Sequence, residues 1–189
     1  MKTKNALTVR PEPGLSELKR AGNLIRIAER ILGKSIVPGH NRTDEQGRKQ
    51  GHWVERFADG QVEEGPYVDG ERHGHWVERW VDGVVTKGPY VNGERHGDWV
   101  VRFADGSVWE GPYVDGKEHG DWVERWGDGD VWEGPFVDGK QHGHWVLRGA
   151  DGDVWEGQFV NGERHGRWVS REPNGTEAVT HWHHGEIVK

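Results

Sequence analysis

The feature that most constrains this chain is a repeat of 23 residues that runs without interruption. Gly51-His52-Trp53 returns as Gly74-His75-Trp76, Gly97-Asp98-Trp99, Gly120-Asp121-Trp122, Gly143-His144-Trp145 and Gly166-Arg167-Trp168. A second slot holds Asp59-Gly60, Asp82-Gly83, Asp105-Gly106, Asp128-Gly129, Asp151-Gly152 and Asn174-Gly175. A third holds Asp69-Gly70, Asn92-Gly93, Asp115-Gly116, Asp138-Gly139 and Asn161-Gly162, and decays to His184-Gly185. Such pairs accept the positive φ that hairpin turns demand. A fixed period punctuated by turns specifies stacked supersecondary units, not one globular core. Composition agrees, because thirty glycines and twelve tryptophans stand beside only 32% hydrophobic residues. The apolar surface is aromatic and valine, which favours strands.

Each unit reads as one hairpin. In the repeat 97–119, a strand over 98–103 meets the turn Ala104-Asp105-Gly106, and a second strand covers 107–114. A three-residue loop sets Trp99 opposite Gly111, Val101 opposite Trp109 and Phe103 opposite Ser107. Trp99, Phe103, Trp109 and Tyr113 then share one face. The other face carries Val100, Arg102, Val108, Glu110 and Val114, and places Arg102 near Glu110 as a cross-strand pair. In the second repeat Lys87 takes the glutamate slot while Arg79 keeps its place, so two like charges meet there.

The fold expected is mainly all-β: a single elongated, twisted antiparallel sheet of about twelve strands, preceded by one amphipathic helix. Strands lie about 4.8 Å apart, so six hairpins would advance the sheet by about 60 Å. A single sheet has no second layer. One face is expected to find cover from the helix, from a second copy or from a partner.

Residues 1–14 read as a flexible leader, 15–33 as the helix, 34–43 as a linker, and 44–189 as about six repeats with degenerate ends. The helix places Leu18, Ala21, Leu24, Ile25, Ala28, Ile31 and Leu32 at helical spacing, with Ser16 as N-cap and Gly33 as stop. Its polar face is basic, through Lys19, Arg20, Arg26 and Arg30. Leu18, Leu24, Ile25 and Ile31 are the contact candidates, for the chain's own sheet, a partner chain or a membrane surface.

The net charge of −7 conceals a split. Residues 1–50 hold 11 Lys and Arg against 5 Asp and Glu; the remainder holds 14 against 27, a balance of −13. An acidic array disfavours nucleic acid, since phosphate binding needs concentrated Lys and Arg. With no cysteine there is neither a disulfide framework nor a thiolate metal site. The sequence shows no signal-peptide pattern and no stretch approaching a membrane span, so a cytoplasmic protein is expected.

No constellation for catalysis stands out. Carboxylates and histidines recur by position, and the hydroxyl residues Ser107 and Ser170 lack a partnered base. The ladder His73, His96, His119, His142 and His165 is no shared metal site, because equivalent positions lie about 10 Å apart and Zn–N bonds are near 2 Å. His181, His183 and His184 could hold nickel or zinc adventitiously. No enzyme activity, metal or cofactor is expected.

The aromatic ladder, which includes Trp99, Trp122, Trp145, Tyr113, Phe136 and Phe159, reads either as internal packing or as an exposed groove. One slot is more telling. It runs Glu63, Thr86, Trp109, Trp132, Trp155, Ala178, so extra tryptophans enrich repeats 3 to 5 alone. Packing would have filled it throughout. Trp109, Trp132 and Trp155 are therefore the leading partner-binding candidates.

The string Val-Trp-Glu-Gly-Pro-Tyr-Val-Asp-Gly-Lys-Glu-His-Gly-Asp-Trp-Val at 108–123 resembles MORN repeats, over about residues 44–189. Gly-x-Trp stands where ordinary units have Gly-x-Gly, which is similar to the bacterial variant labelled antitoxin-like. The resemblance implies an elongated antiparallel sheet used for protein contacts, often dimerisation, with lipid binding claimed for some members. It implies no catalytic residue. The expected function is a non-enzymatic interaction or scaffold module that binds a protein partner or its own second copy. The alternatives are peripheral membrane binding through the basic helix and carbohydrate binding by the Trp patch.

Overall fold

A computed structural model describes residues 41–188. The expected leader and helix, with Leu18, Leu24, Ile25 and Ile31, lie outside the described residues. Those described contain no helix and form one antiparallel sheet of 18 strands. In chain order these are β1 (Arg42–Thr43), β2 (Lys49–Arg56), β3 (Val62–Val68), β4 (Glu71–Arg72), β5 (Gly74–Arg79), β6 (Val85–Val91), β7 (Glu94–Arg95), β8 (Gly97–Arg102) and β9 (Val108–Val114). They continue as β10 (Lys117–Glu118), β11 (Gly120–Arg125), β12 (Val131–Val137), β13 (Lys140–Gln141), β14 (Gly143–Arg148), β15 (Val154–Val160), β16 (Glu163–Arg171), β17 (Glu177–His183) and β18 (Glu186–Val188). Twelve of them run six residues or longer, which is the number the repeat predicts; the other six are pieces of two or three residues. Long strands follow one another across the open sheet in chain order.

The hairpin register is the one the three-residue loop implies. β8 and β9 pair Trp99 with Gly111, Val101 with Trp109 and Arg102 with Val108. Phe103 N–H donates to the Ser107 carbonyl, and the Asp105 carboxylate accepts the Ser107 amide. Only the glycine of this loop has positive φ. The other turn differs: Asp115 (φ 48°) and Gly116 (φ 77°) are both left-handed, which makes a two-residue hairpin of the primed type. That turn folds β10 back onto the end of β9, Lys117 opposite Val114 and Glu118 opposite Tyr113. The connection between hairpins is thus itself paired, and this adds the short strands.

At His119-Gly120 the strand bulges. β10 and β11 both pair with β9, but their registers differ by two residues. Gly120, at φ 81°, permits the bend. The bulge swings Trp122 back across the preceding repeat. Its indole occupies the space where a side chain at Gly111 would be, since a Cβ there would lie 2.3 Å from the ring. Trp122 Nε1–H donates to the Pro112 carbonyl at 3.0 Å, which also accepts the His119 amide at 2.9 Å. The same latch recurs as Trp76 on Gly65, Trp99 on Gly88, Trp145 on Gly134 and Trp168 on Gly157. Trp99 and Gly111 are cross-strand partners as read, yet the ring that fills the space at Gly111 comes from the next repeat.

The latched tryptophans alternate with Tyr67, Tyr90, Tyr113, Phe136 and Phe159 in a continuous edge-to-face series from Trp53 to Trp168, with centroids 4.9–6.0 Å apart. Trp76 and Trp99 are 0% exposed and Trp145 1%. Within the sheet each lies against a glycine of the preceding repeat and between two rings, with Arg72 over Trp76 and Arg95 over Trp99.

On the opposite face the ion pairs join repeats. Arg125 meets Glu110 at 2.5 Å and Arg171 meets Glu156 at 2.6 Å, with Arg148 on Glu133 and Arg79 within 3.9 Å of Glu64. The expected pair of Arg102 with Glu110 inside one hairpin does not form. Glutamate and arginine fifteen residues later meet diagonally across β9 and β11, because Val123 pairs Glu110 and Arg125 pairs Val108. The arginine facing Lys87 in this scheme is therefore Arg102, not Arg79. Neither Lys87 nor Arg102 makes an ion pair among the described residues.

Candidate interaction face

Across the sheet, on the face of the latched tryptophans, one row of side chains stands partner to partner from strand to strand. It runs Glu55, Glu63, Glu78, Thr86, Val101, Trp109, Glu124, Trp132, Leu147, Trp155, Ser170, Ala178. Its first third is polar, with Glu55 half-buried and Glu63, Glu78 and Thr86 buried; the rest is largely aromatic and apolar.

In the charged part, Lys49, Arg72 and Arg95 satisfy the carboxylates. Arg72 bridges Glu63 and Glu78, and Arg95 reaches Glu78 at 3.3 Å. Glu78 also accepts hydrogen bonds from Thr86 Oγ1 (2.8 Å) and the Tyr90 hydroxyl (2.9 Å). Both guanidinium groups lie over rings: Arg72 over Trp76 at 4.6 Å and Tyr90 at 5.2 Å, Arg95 over Trp99 at 4.2 Å and Tyr113 at 5.5 Å. Planar guanidinium suits both contacts. Lys49 likewise sits over Trp53 and Tyr67 and pairs with Glu55. Burial acts to raise the Glu55 carboxyl, but hydrogen bonds from Lys49 and Tyr67 outweigh it and hold the group below its ordinary value. For Glu63 burial wins over the pull of Arg72, and its carboxyl is raised.

The covering slot runs Arg72, Arg95, Glu118, Gln141, Arg164. In repeats 3 and 4 the cation is missing, where the tryptophans of the row begin. Trp109 stacks on Phe103 at 4.8 Å and on Trp126 at 5.4 Å; Trp132 leans on Trp145 at 6.2 Å. Trp109 and Trp132 are half-buried, while Trp155 is 42% and Trp126 40% exposed. Trp109 Nε1 is buried without a hydrogen-bond partner, an arrangement that costs about 1–3 kcal/mol. Between Trp109 and Trp132 stands Glu124, directly across from both. Burial raises its carboxyl, and no hydrogen bond or ion pair reaches it among the described residues.

Of the residues singled out from sequence, Trp109, Trp132 and Trp155 lie on this face. Trp99, Trp122, Trp145, Tyr113 and Phe159 are buried beneath it, and Phe136 is partly buried, bridging the two halves of the core. Sequence reading passed over Trp126, Glu124 and the covering arginines. The signal was present in the slot Phe57, Trp80, Phe103, Trp126, Gly149, Glu172 and in the loss of arginine at Glu118 and Gln141. Among the described residues no cluster of His, Asp and Glu has the geometry of a metal site, although the rings of His165, His183 and His184 lie 4.4–5.4 Å apart. No helix among them is long and apolar enough to cross a membrane.

No family model matches the sequence, and no curated protein matches it. Among solved structures the chain is similar to the TCP domain of SAS-4 (dCPAP) of Drosophila melanogaster, determined in complex with a proline-rich motif of Ana2 (dSTIL). The two are 14% identical with a TM-score of 0.42, over 74% of this chain and 75% of that chain.

Proposed function

We propose that this chain is a non-enzymatic protein-interaction module of MORN type, and that it binds through the aromatic face of repeats 3 to 5. The observation that carries the reading is local. Trp126 and Trp155, each about two-fifths exposed, flank half-buried Trp109 and Trp132 where the covering arginines are replaced by Glu118 and Gln141. Exposed tryptophan set on a rigid, buried aromatic base is the composition of an interaction hot spot. A second copy of the chain is one candidate partner, and a different protein is the other.

The test is a titration. A protein captured from the native cell, purified and identified, is expected to bind the full chain and to lose at least about tenfold affinity, roughly 1.4 kcal/mol, when Trp109, Trp132 and Trp155 become Thr. Sedimentation at increasing concentration reports a second copy in the same way. Circular dichroism checks that the variant stays folded, and the single change Trp155→Thr, at the exposed end, serves if it does not. Unchanged affinity in both variants overturns the reading.

Tryptophan also stacks on sugar rings, and the same exposed rings favour carbohydrate binding as a second reading. Binding of one glycan class, abolished by Trp155→Thr, would select it.

A further inference from the structure

We infer that Glu124 marks an open seat for an arginine side chain of a partner protein, matching a seat that this chain fills with its own arginines two repeats earlier. The inference deepens the protein-binding reading above and rests on it.

Glu78 and Glu124 are 46 residues apart, two full periods, and occupy the same place in the row. Glu78 is held by Arg72, Arg95, Thr86 and Tyr90. At Glu124 the corresponding residues are Glu118, Gln141, Trp132 and Phe136. All four partners are gone. The carboxylate remains, half-buried between Trp109 and Trp132 and unpaired among the described residues.

What a guanidinium needs is nevertheless retained. The ring under Arg72 at Trp76 returns as Trp122, and the ring at Tyr90 returns as Phe136. Two walls have been added, since the places of Glu63 and Thr86 pass to Trp109 and Trp132, on either side of Glu124. Trp126 stands two residues along the same face and touches Trp109. A planar cation between indoles, with a carboxylate to accept its N–H groups, combines ring stacking and a charge-assisted hydrogen bond in one contact.

Packing does not explain the carboxylate. One repeat later the same position is Leu147, equally placed between tryptophans, Trp132 and Trp155. Leucine satisfies that site without the desolvation penalty of a charge. Glu118 and the array balance of −13 make the surroundings negative, which suits a basic segment of a partner.

The experiment titrates the full chain with three capped tripeptides, Gly-Arg-Gly, Gly-Lys-Gly and Gly-citrulline-Gly, following the indole N–H signals by NMR. Arginine is expected to shift the signals of Trp109, Trp126 and Trp132; citrulline, its neutral isostere, is expected to leave them in place. Glu124→Gln should weaken the arginine peptide about tenfold or more. Glu118→Arg, which restores the residue that stands at Arg72, should occupy the seat from within and abolish peptide binding. Binding should also fall as pH drops and the Glu124 carboxyl is protonated. Equal binding of citrulline or lysine, equal binding to the Glu124→Gln variant, or shifts confined to other indoles overturns the inference. The two readings separate cleanly. A partner lost with the three tryptophans but kept by Glu124→Gln leaves the interaction face standing and removes the arginine seat; a partner kept by the tryptophan variant removes the face itself.

Discussion

At the scale of single residues, the sheet is governed by what stands next to what across strands. Gly111 is the tightest case. Alanine there would place its Cβ 2.3 Å from the Trp122 indole, which its own N–H bond to Pro112 holds in place. Gly111→Ala is expected to cost about 3 kcal/mol, near the upper end of overpacking penalties, measured by urea denaturation. Glu124 gives a pH prediction of definite sign. Burial alone lifts its carboxyl above the ordinary value, so the folded state holds the proton more tightly than the unfolded chain. That contribution is fully present below the unfolded-state value and is lost as pH rises through the raised folded-state value. Glu124→Gln should therefore raise Tm at neutral pH, with the gain disappearing in acid; a gain that persists in acid would mean that the charge is not its cause. Glu55 behaves oppositely, because Lys49 and Tyr67 hold its carboxyl below the ordinary value and its stabilisation is lost as pH falls. Residue identities alone show none of this. Glu55, Glu78 and Glu124 are the same letter in the same slot, and only the occupants of neighbouring strands distinguish them.

At the scale of elements, the hairpin was legible and the join between hairpins was not. Period, loop length and facing residues follow from where Asp-Gly pairs and tryptophans recur, since strand alternation leaves one register that gathers the aromatics. The bulge at His119-Gly120 depends on the chain folding back on the preceding strand, a contact between repeats that no reading within one repeat contains. It moves two interactions from inside a hairpin to between hairpins: the indole on its glycine, and the arginine on its glutamate. Lys87 tests the second. Lys87→Glu is expected to supply the missing partner for Arg102 and to stabilise the sheet by about 0.5 kcal/mol, an exposed pair's worth. The gain should fade in about 1 M salt. If Arg102→Ala leaves the gain intact, Arg102 is not the partner.

At the scale of the whole array, each repeat is latched onto the one before it, so stability should add nearly unit by unit. Excising residues 97–119 removes one period and sets Trp122 over Gly88 and Pro89. The shortened protein is expected to fold with the same strand spectrum by circular dichroism and a lower Tm. Excising 97–108 breaks the alternation and should unfold the neighbouring repeats. A shortened array that fails in the first case, or survives in the second, contradicts the latch. The sequence by itself determined the all-β class, the period, the three-residue loop, the aromatic face and the unusual tryptophans of repeats 3 to 5, because all of these are set by spacing along the chain. Only the tertiary structure decided which aromatics are core and which are surface, that each indole latches onto a glycine of the preceding repeat, that ion pairs link repeats, and that Glu124 lacks the arginines Glu78 has. The reason is that these properties belong to side chains of different strands, such as Trp122 on Gly111, Arg125 on Glu110 and Arg95 on Glu78, brought together by pairing and by a bulge whose offset no local pattern encodes.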